Sequence, residues 1–366
     1  MTPLKGSFYV LILYDVAEQI QLDRLRKIIG AEPPRREPSF KHRAPEYVRF
    51  EPAPVVEYAG SITVSGGVQF ESRIKYFDYG VVCVELELPF TAGWEDLTRL
   101  SSRLTSAPEI EARTLELAQA QLNRVKAALI QPYKSWLSED YYVIHITDAR
   151  ADGAGGGGDP LSAAAMLQSH GEHVARIVRG ESVALSESER DEALTARISY
   201  YPTDLFVAGW VAALVYDTPE SAAAIVQLLE YANSQLLEYR HYDEILTRVL
   251  KNAYAMLEHK GLPLIRHWRM ARQAERLNAM RLDIIELTER TDNAIKFLSD
   301  MYYARAYRMA SSRVGVADYR NLVEQKLRIA ADLYQFMVNE FHQARGFVLE
   351  VMVVAILVIE LIHVFR

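Results

Sequence analysis

The chain has 366 residues, 50% of them hydrophobic and 24% charged, with a net charge of −7. This is the composition of a protein that folds largely in water, with material for two or three domains. The acidic balance excludes a whole-chain affinity for nucleic acid or anionic lipid, leaving local basic patches to bind either. Cys83 is the single cysteine, which excludes a disulfide framework and a cysteine-based zinc site and suits a reducing compartment.

In chain order, Phe8–Leu13 is apolar, but Asp15 and Glu18 follow at once with no small-residue cleavage site. This reads as a first β-strand (Phe8–Asp15) rather than a signal peptide. Glu18–Ile29 has helical apolar spacing, and a Pro-rich basic loop follows. Val55–Val64 and Lys75–Leu88, rich in β-branched and aromatic residues, are predicted strands. Trp94–Leu104 and Glu109–Leu129 are predicted helices, the second opened by Pro108. These elements make a first α/β unit over residues 1–132.

Residues 138–260 follow a similar plan. Tyr142–Ala149 (YVIHITDA) matches Tyr9–Val16 (YVLILYDV), and Tyr200–Pro219 resembles Tyr76–Pro89, each of this second pair ending in a proline before a helix. The pairs fit two copies of a β-α-β-β-α unit, or simply the common appearance of short aromatic strands.

The third region, 264–345, reads as a long antiparallel helical hairpin. Apolar residues recur at helical spacing from Leu277 to Met309, and Ser311, Ser312 and Gly315 mark a turn. A stripe then resumes at Val316, Tyr319, Val323, Leu327, Ala330, Tyr334, Met337 and Phe341, with the alternating gaps of a coiled-coil seam. It leads into Phe347–Phe365, whose nineteen residues span about 28 Å as a helix, near the ~30 Å of a bilayer core. The expectation is a single C-terminal transmembrane helix over 346–366, tail-anchored, with the bulk of the chain facing the cytoplasm of a bacterial inner membrane or an organellar equivalent. Glu350, Glu360 and His363 are its polar positions, near the ends, where a charge is tolerated best.

The whole is therefore expected to be α+β: an α/β head, a coiled-coil stalk and one membrane span. Lys75–Leu86 (KYFDYGVVCVEL) and Arg345–Ile362 (RGFVLEVMVVAILVIELI) resemble the aromatic-Gly-Val-Val strand and the terminal segment of the "required for meiotic nuclear division" family, the Rmd/YagE-like membrane proteins. Glu350 and Glu360 fall on that family's two acidic positions, while Val351 stands where it usually has an aromatic residue. The resemblance implies an oligomeric membrane-tethered protein with no established enzymatic activity, linked in its mitochondrial members to organellar translation.

No catalytic, cofactor or metal site is assigned from the sequence. Gly153–Gly158 satisfies a Gly-x-Gly-x-x-Gly template trivially and lacks the acidic partner or the Lys-Ser/Thr of a phosphate loop. Asp148, Asp152 and Asp159 read as solvated loop acids, and Tyr239–Glu244 as a salt-bridged helix segment. His170 and His173 have metal-ligand spacing but no evident third ligand. Arg266, Arg269, Arg272 and Arg276 form a solvated helix face or an anion-facing patch for RNA, ribosome or lipid headgroups. The leading expectation is a non-enzymatic scaffold, tethered to a membrane, self-associating through its stalk and contacting ribosome or RNA. The alternative is an oligomeric ligand-sensing or ion-conducting protein.

Overall fold

The structure, a computed structural model, describes residues 3–30, 53–64, 67–150, 159–258, 282, 284, 285 and 301–364. These fall into two compact units: Met1–Glu238 with Thr291–Asp318, and Tyr239–Arg290 with Tyr319–Arg366.

The first unit is built on one mixed eight-stranded sheet. Its elements in chain order are β1 (Leu4–Ile20), α1 (Leu22–Ile29), β2 (Val55–Val64), β3 (Val68–Tyr76), β4 (Val81–Ala92), α2 (Trp94–Thr105), α3 (Pro108–Val125) and β5 (Leu129–Asp148). Then come α4 (Ala163–Arg179), α5 (Glu187–Ala193), β6 (Arg197–Ile198), β7 (Leu205–Ala208), β8 (Ala212–Tyr216), the first half of α6 (Pro219–Glu258), and α7 (Met301–Arg313). The strand order is β2-β3-β4-β1-β5-β8-β7-β6. Every neighbouring pair is antiparallel except β5 with β8. The two expected α/β units are thus not separate sheets, because β1 and β5 pair with each other along most of their length. Long apolar strands at both unit starts present two edges, and pairing them satisfies both rows of backbone groups at once.

Strand alternation divides the buried residues between two layers. Phe8, Val10, Ile12 and Tyr14 of β1, with Val82, Val84 and Leu86 of β4, share a core with α1 to α4. The alternate residues Leu11, Leu13, Cys83, Tyr141, Val143, Phe206 and Val215 are equally buried. This second face lies beneath α6, as the contact of Cys83 Sγ with Glu230 shows. Helix α7 also belongs to this unit, contributing the buried Tyr302, Tyr303, Tyr307 and Ala310. The end of the apolar stripe expected to form the first arm of a stalk, at Tyr302, is therefore core packing; most of residues 264–300 lies outside the described residues.

Two glycines fix the local geometry of the sheet. Gly6 lies where β1 shifts register on β5, and a Cβ there would sit 1.9 Å from the carbonyl oxygen of His145. Gly80 closes the turn between β3 and β4 with φ +92°, a conformation that glycine adopts without penalty. That turn, over Phe77–Gly80, splits the single strand expected at Lys75–Leu88 into the end of β3 and the start of β4.

In the second unit, the later half of α6 packs with α8 (Val316–Val364), a continuous helix of 49 residues. Lys326 Nζ lies 2.6 Å from Asp243 Oδ1 and donates to Thr247 Oγ1. Leu246, Val323 and Ala330 are buried. The expected coiled-coil seam is thus occupied, at these positions, from within the same chain.

The expected membrane anchor is corrected. Among the described residues, no helix is long and apolar enough to cross a membrane. The apolar run is the end of α8, and Glu350 and Glu360 divide it. The nine apolar residues between them cover about 14 Å, half of a ~30 Å hydrocarbon core, and each carboxylate at membrane depth costs roughly 2.5–3.5 kcal/mol. The single-pass topology and the cytoplasm-facing placement fall with the anchor.

Candidate functional site

Among the described residues, a buried polar constellation joins α6 to the sheet. On β3, Arg73 and Lys75 are two residues apart and share a face; on β4, so do Cys83, Glu85 and Glu87. The antiparallel register sets Arg73 opposite Glu85 and Lys75 opposite Cys83. The next strand, β1, brings Tyr9 opposite Glu87. Glu230 enters from α6.

Lys75 Nζ stands 2.5 Å from both Glu85 Oε2 and Glu230 Oε1. Arg73 reaches Glu85 Oε1 through Nη1 at 3.2 Å and Glu87 Oε2 through Nη2 at 2.8 Å. Ser7 and Tyr9 donate to Glu87 Oε1 at 2.9 and 3.1 Å. Side-chain exposure falls toward the helix, from 15% at Lys75 to 3% at Glu85 and 1% at Glu230. One turn further along α6, Ser234 is hydrogen-bonded to Tyr79 across 2.7 Å. Tyr307 of α7 donates to Gln235 Oε1, so three neighbouring positions of α6 carry polar anchors.

Burial and the neighbouring charges compete over the protonation states here. It pushes the Glu230 carboxyl up to about 7; Lys75 pulls the other way, and Glu85 adds to the rise. Burial also works against ionised Glu85, but the Lys75 and Arg73 cations outweigh it and hold Glu85 below the usual carboxylate value. Lys75 is held above the usual ammonium value; burial opposes its charge, and Glu230 and Glu85 overcome that. Burial, then Glu230, pushes the Cys83 thiol well up. The lysine keeps its charge and the thiol its proton, so neither is an activated nucleophile. What the arrangement can do chemically is hold one proton and release it.

A second cluster lies on the other side of the sheet. Arg176 of α4 donates to both Glu95 carboxylate oxygens at 3.1 and 3.2 Å and to the carbonyl of Ser182. His170 stacks on Trp94 at 4.7 Å, and His173 Nε2 lies 3.4 Å from Glu95. The two histidines thus pack on α2, and among the described residues no group of three or more His, Cys, Asp or Glu could hold a metal ion.

The sequence-predicted positions are dispersed. Arg266, Arg269, Arg272 and Arg276 lie outside the described residues, as does Gly153–Gly158. Glu350, Glu360 and His363 fall on α8, and His363 is exposed. Asp243 serves Lys326. None of these belongs to the Lys75 cluster, which sequence reading missed. The available signal was Glu230, a carboxylate in the apolar run AAAIVQLLEYA, which needs a buried counter-charge. Its partner lies 155 residues away and gives no local trace.

An eight-stranded mixed α/β sheet carrying a buried Lys–Glu–Glu cluster under its α6 layer is the class these observations define. The chain belongs to the family described as "Uncharacterized protein MJ0711, N-terminal domain", whose model matches residues 5–222, from the start of β1 into α6. The uncharacterized protein MJ0711 of Methanocaldococcus jannaschii is 22% identical over 187 residues, 51% of this chain and 57% of that protein. The chain thus spans a little over half the length of this relative. No solved structure matches. The match covers Lys75, Glu85 and Cys83 but stops short of Glu230.

Proposed function

We propose that the chain is a non-enzymatic scaffold whose α/β unit is joined to a self-associating helix. One observation carries this reading. On α8, Leu322, Ile329 and Phe336 recur every seven residues and are 38%, 39% and 53% exposed. Leu322 and Ile329 immediately precede the buried Val323 and Ala330, so the two stripes run about 100° apart around the helix. One stripe is used within the chain, and the other faces outward at coiled-coil spacing. Exposed Met352, Val353, Val354, Ile356, Leu357 and Leu361 extend apolar surface along the same helix. Surface of this kind marks protein association.

The occupant proposed is a second copy of this chain, antiparallel. Arg328 and Asp332 are both exposed and lie on the same flank of the stripe. In an antiparallel pair equal flanks meet, so each Arg328 faces the other copy's Asp332; a parallel pair would set this flank against the one carrying Lys326, which Asp243 engages.

Sedimentation velocity on the full-length chain tests this. The wild type is expected to be a dimer or a multiple of it at micromolar concentration. The triple variant L322E/I329E/F336E is expected to dissociate, its Kd raised roughly 100-fold or more, about 2.7 kcal/mol. A monomeric wild type, or a variant with unchanged mass, overturns the reading.

A further inference from the structure

Where α6 crosses β3 and β4, two cations face three carboxyl groups. Arg73 and Lys75 come from β3, Glu85 and Glu87 from β4, and Glu230 from α6. The titratable neighbours on the surrounding elements include Cys83 on β4, Tyr9 on β1, His145 on β5, which feels the charge of Glu87, and Tyr79 in the β3–β4 turn, itself in the field of Tyr231, Glu238 and Asp78. With all three carboxyls ionised the cluster carries one surplus negative charge; with one proton bound it is neutral. Glu85 touches two cations, Arg73 and Lys75, and Glu87 has Arg73 with two hydroxyl donors, whereas Glu230 meets one cation, Lys75, which it shares with Glu85, and is the most deeply buried of the three. The retained proton therefore belongs on Glu230.

We propose that this cluster is a proton-operated latch, holding α6 against the sheet while Glu230 keeps its proton and loosening that grip when the proton leaves. The ionised carboxylate is drawn toward water, and water is reached only by lifting its turn of α6 from the strands. Ser234 lies one turn along, so its bond to Tyr79 is strained by the same movement. The segment affected is the part of α6 within the first unit.

Hydrogen–deuterium exchange of the full-length chain tests this, read on peptides covering residues 222–238 and corrected for intrinsic exchange. Between about pH 5.5 and about pH 8, wild-type protection of this segment is expected to fall at least ~10-fold, while that of β1 stays level. In E230Q, which keeps the shape but cannot ionise, protection is expected to be flat across that range. A flat wild-type profile, or an E230Q profile as steep as the wild type's, overturns the proposal. If E230Q fails to fold, the infrared band of a protonated buried carboxyl in the wild type decides. Its loss across the same range supports the latch, and its absence at the acidic end or persistence at the alkaline end contradicts it.

Discussion

Replacing Lys75 by methionine is expected to be among the most damaging single changes in the chain. Methionine fills much of the same space but leaves Glu85 and Glu230 facing each other with the shared cation gone. Removing one partner of a buried ion pair costs roughly 3–5 kcal/mol, because the other charge stays in low dielectric. At two to four degrees per kcal/mol, that lowers the melting temperature by roughly 10 °C. The loss has a sign in pH. Glu230 is raised in the folded state even with Lys75 in place, so its contribution is full below its ordinary carboxylate value and is lost as pH rises toward about 7. Without Lys75 Glu230 rises further and Glu85 loses a cation that holds it low, so the deficit of K75M grows from about pH 5 to about pH 8. Glu85 runs the opposite way in the wild type, since its folded value is lowered and its contribution is lost only in acid. Denaturant melts of K75M and K75M/E85M/E230M at the two pH values check this. The triple variant removes Lys75 with both of its carboxylate partners and leaves Arg73 paired with Glu87, so it is expected to recover most of the stability and to lose the pH dependence.

The second large effect is at Gly80. Its φ of +92° disfavours any side chain, and a Cβ there would lie 1.8 Å from the carbonyl oxygen of Ala17 and 3.2 Å from the carbonyl carbon of Glu18. Backbone closes on this turn from β1: Val16 donates to the Gly80 carbonyl at 3.1 Å and Ile20 to that of Asp78 at 2.9 Å. A methyl group therefore adds a clash with a carbonyl to a conformational penalty of about 1–3 kcal/mol. G80A is expected to lose roughly 4 kcal/mol or more, or to leave the chain insoluble. Gly60 is the control, because its φ is +88° but nothing lies within 4 Å of a Cβ there. G60A is expected to cost only about 1 kcal/mol. Equal losses at the two positions, measured by thermal unfolding, would contradict the close-packed turn.

The sequence is legible where structure is local. The strand Val55–Val64, the helix start at Trp94 and the proline opening α3 fall where periodicity and propensity place them. So does the break before α8, where Gly315 has φ +87°. The β3–β4 turn was hidden because Phe77, Tyr79 and the following valines have the composition of a strand interior, and only Gly80 breaks it. β5 begins earlier than the expected strand at Tyr142–Ala149, because the boundary between the two expected units falls at Pro132. The strand instead runs through it at an irregularity, with Gln131 at φ 47° beside it and the register on β1 shifting between Asp15 and Ala17. The expectation of a membrane span rested on mean apolarity over nineteen residues, which underweights the spacing of Glu350 and Glu360. Of the expected coiled-coil seam, Val316, Val323 and Ala330 are buried, but period alone does not say whether the helix that covers such a stripe belongs to the same chain or another. Here Lys326, Asp243 and Thr247 answer for the buried stripe. The Lys75 cluster was beyond reach for a related reason: its members are ordinary alternating charges until the sheet register and α6 bring them together.

Self-association through the outward stripe of α8 is the central claim, and thiol cross-linking tests it most directly. Cys83 is fully buried, so an introduced exposed cysteine reacts alone. An antiparallel pair that sets Arg328 against the other copy's Asp332 brings the two copies of position 329 close together. I329C, treated with a short bismaleimide, is therefore expected to give a cross-linked dimer in high yield, while S312C, exposed at the end of α7, stays monomeric. A dimer band at I329C no stronger than that at S312C would contradict the account.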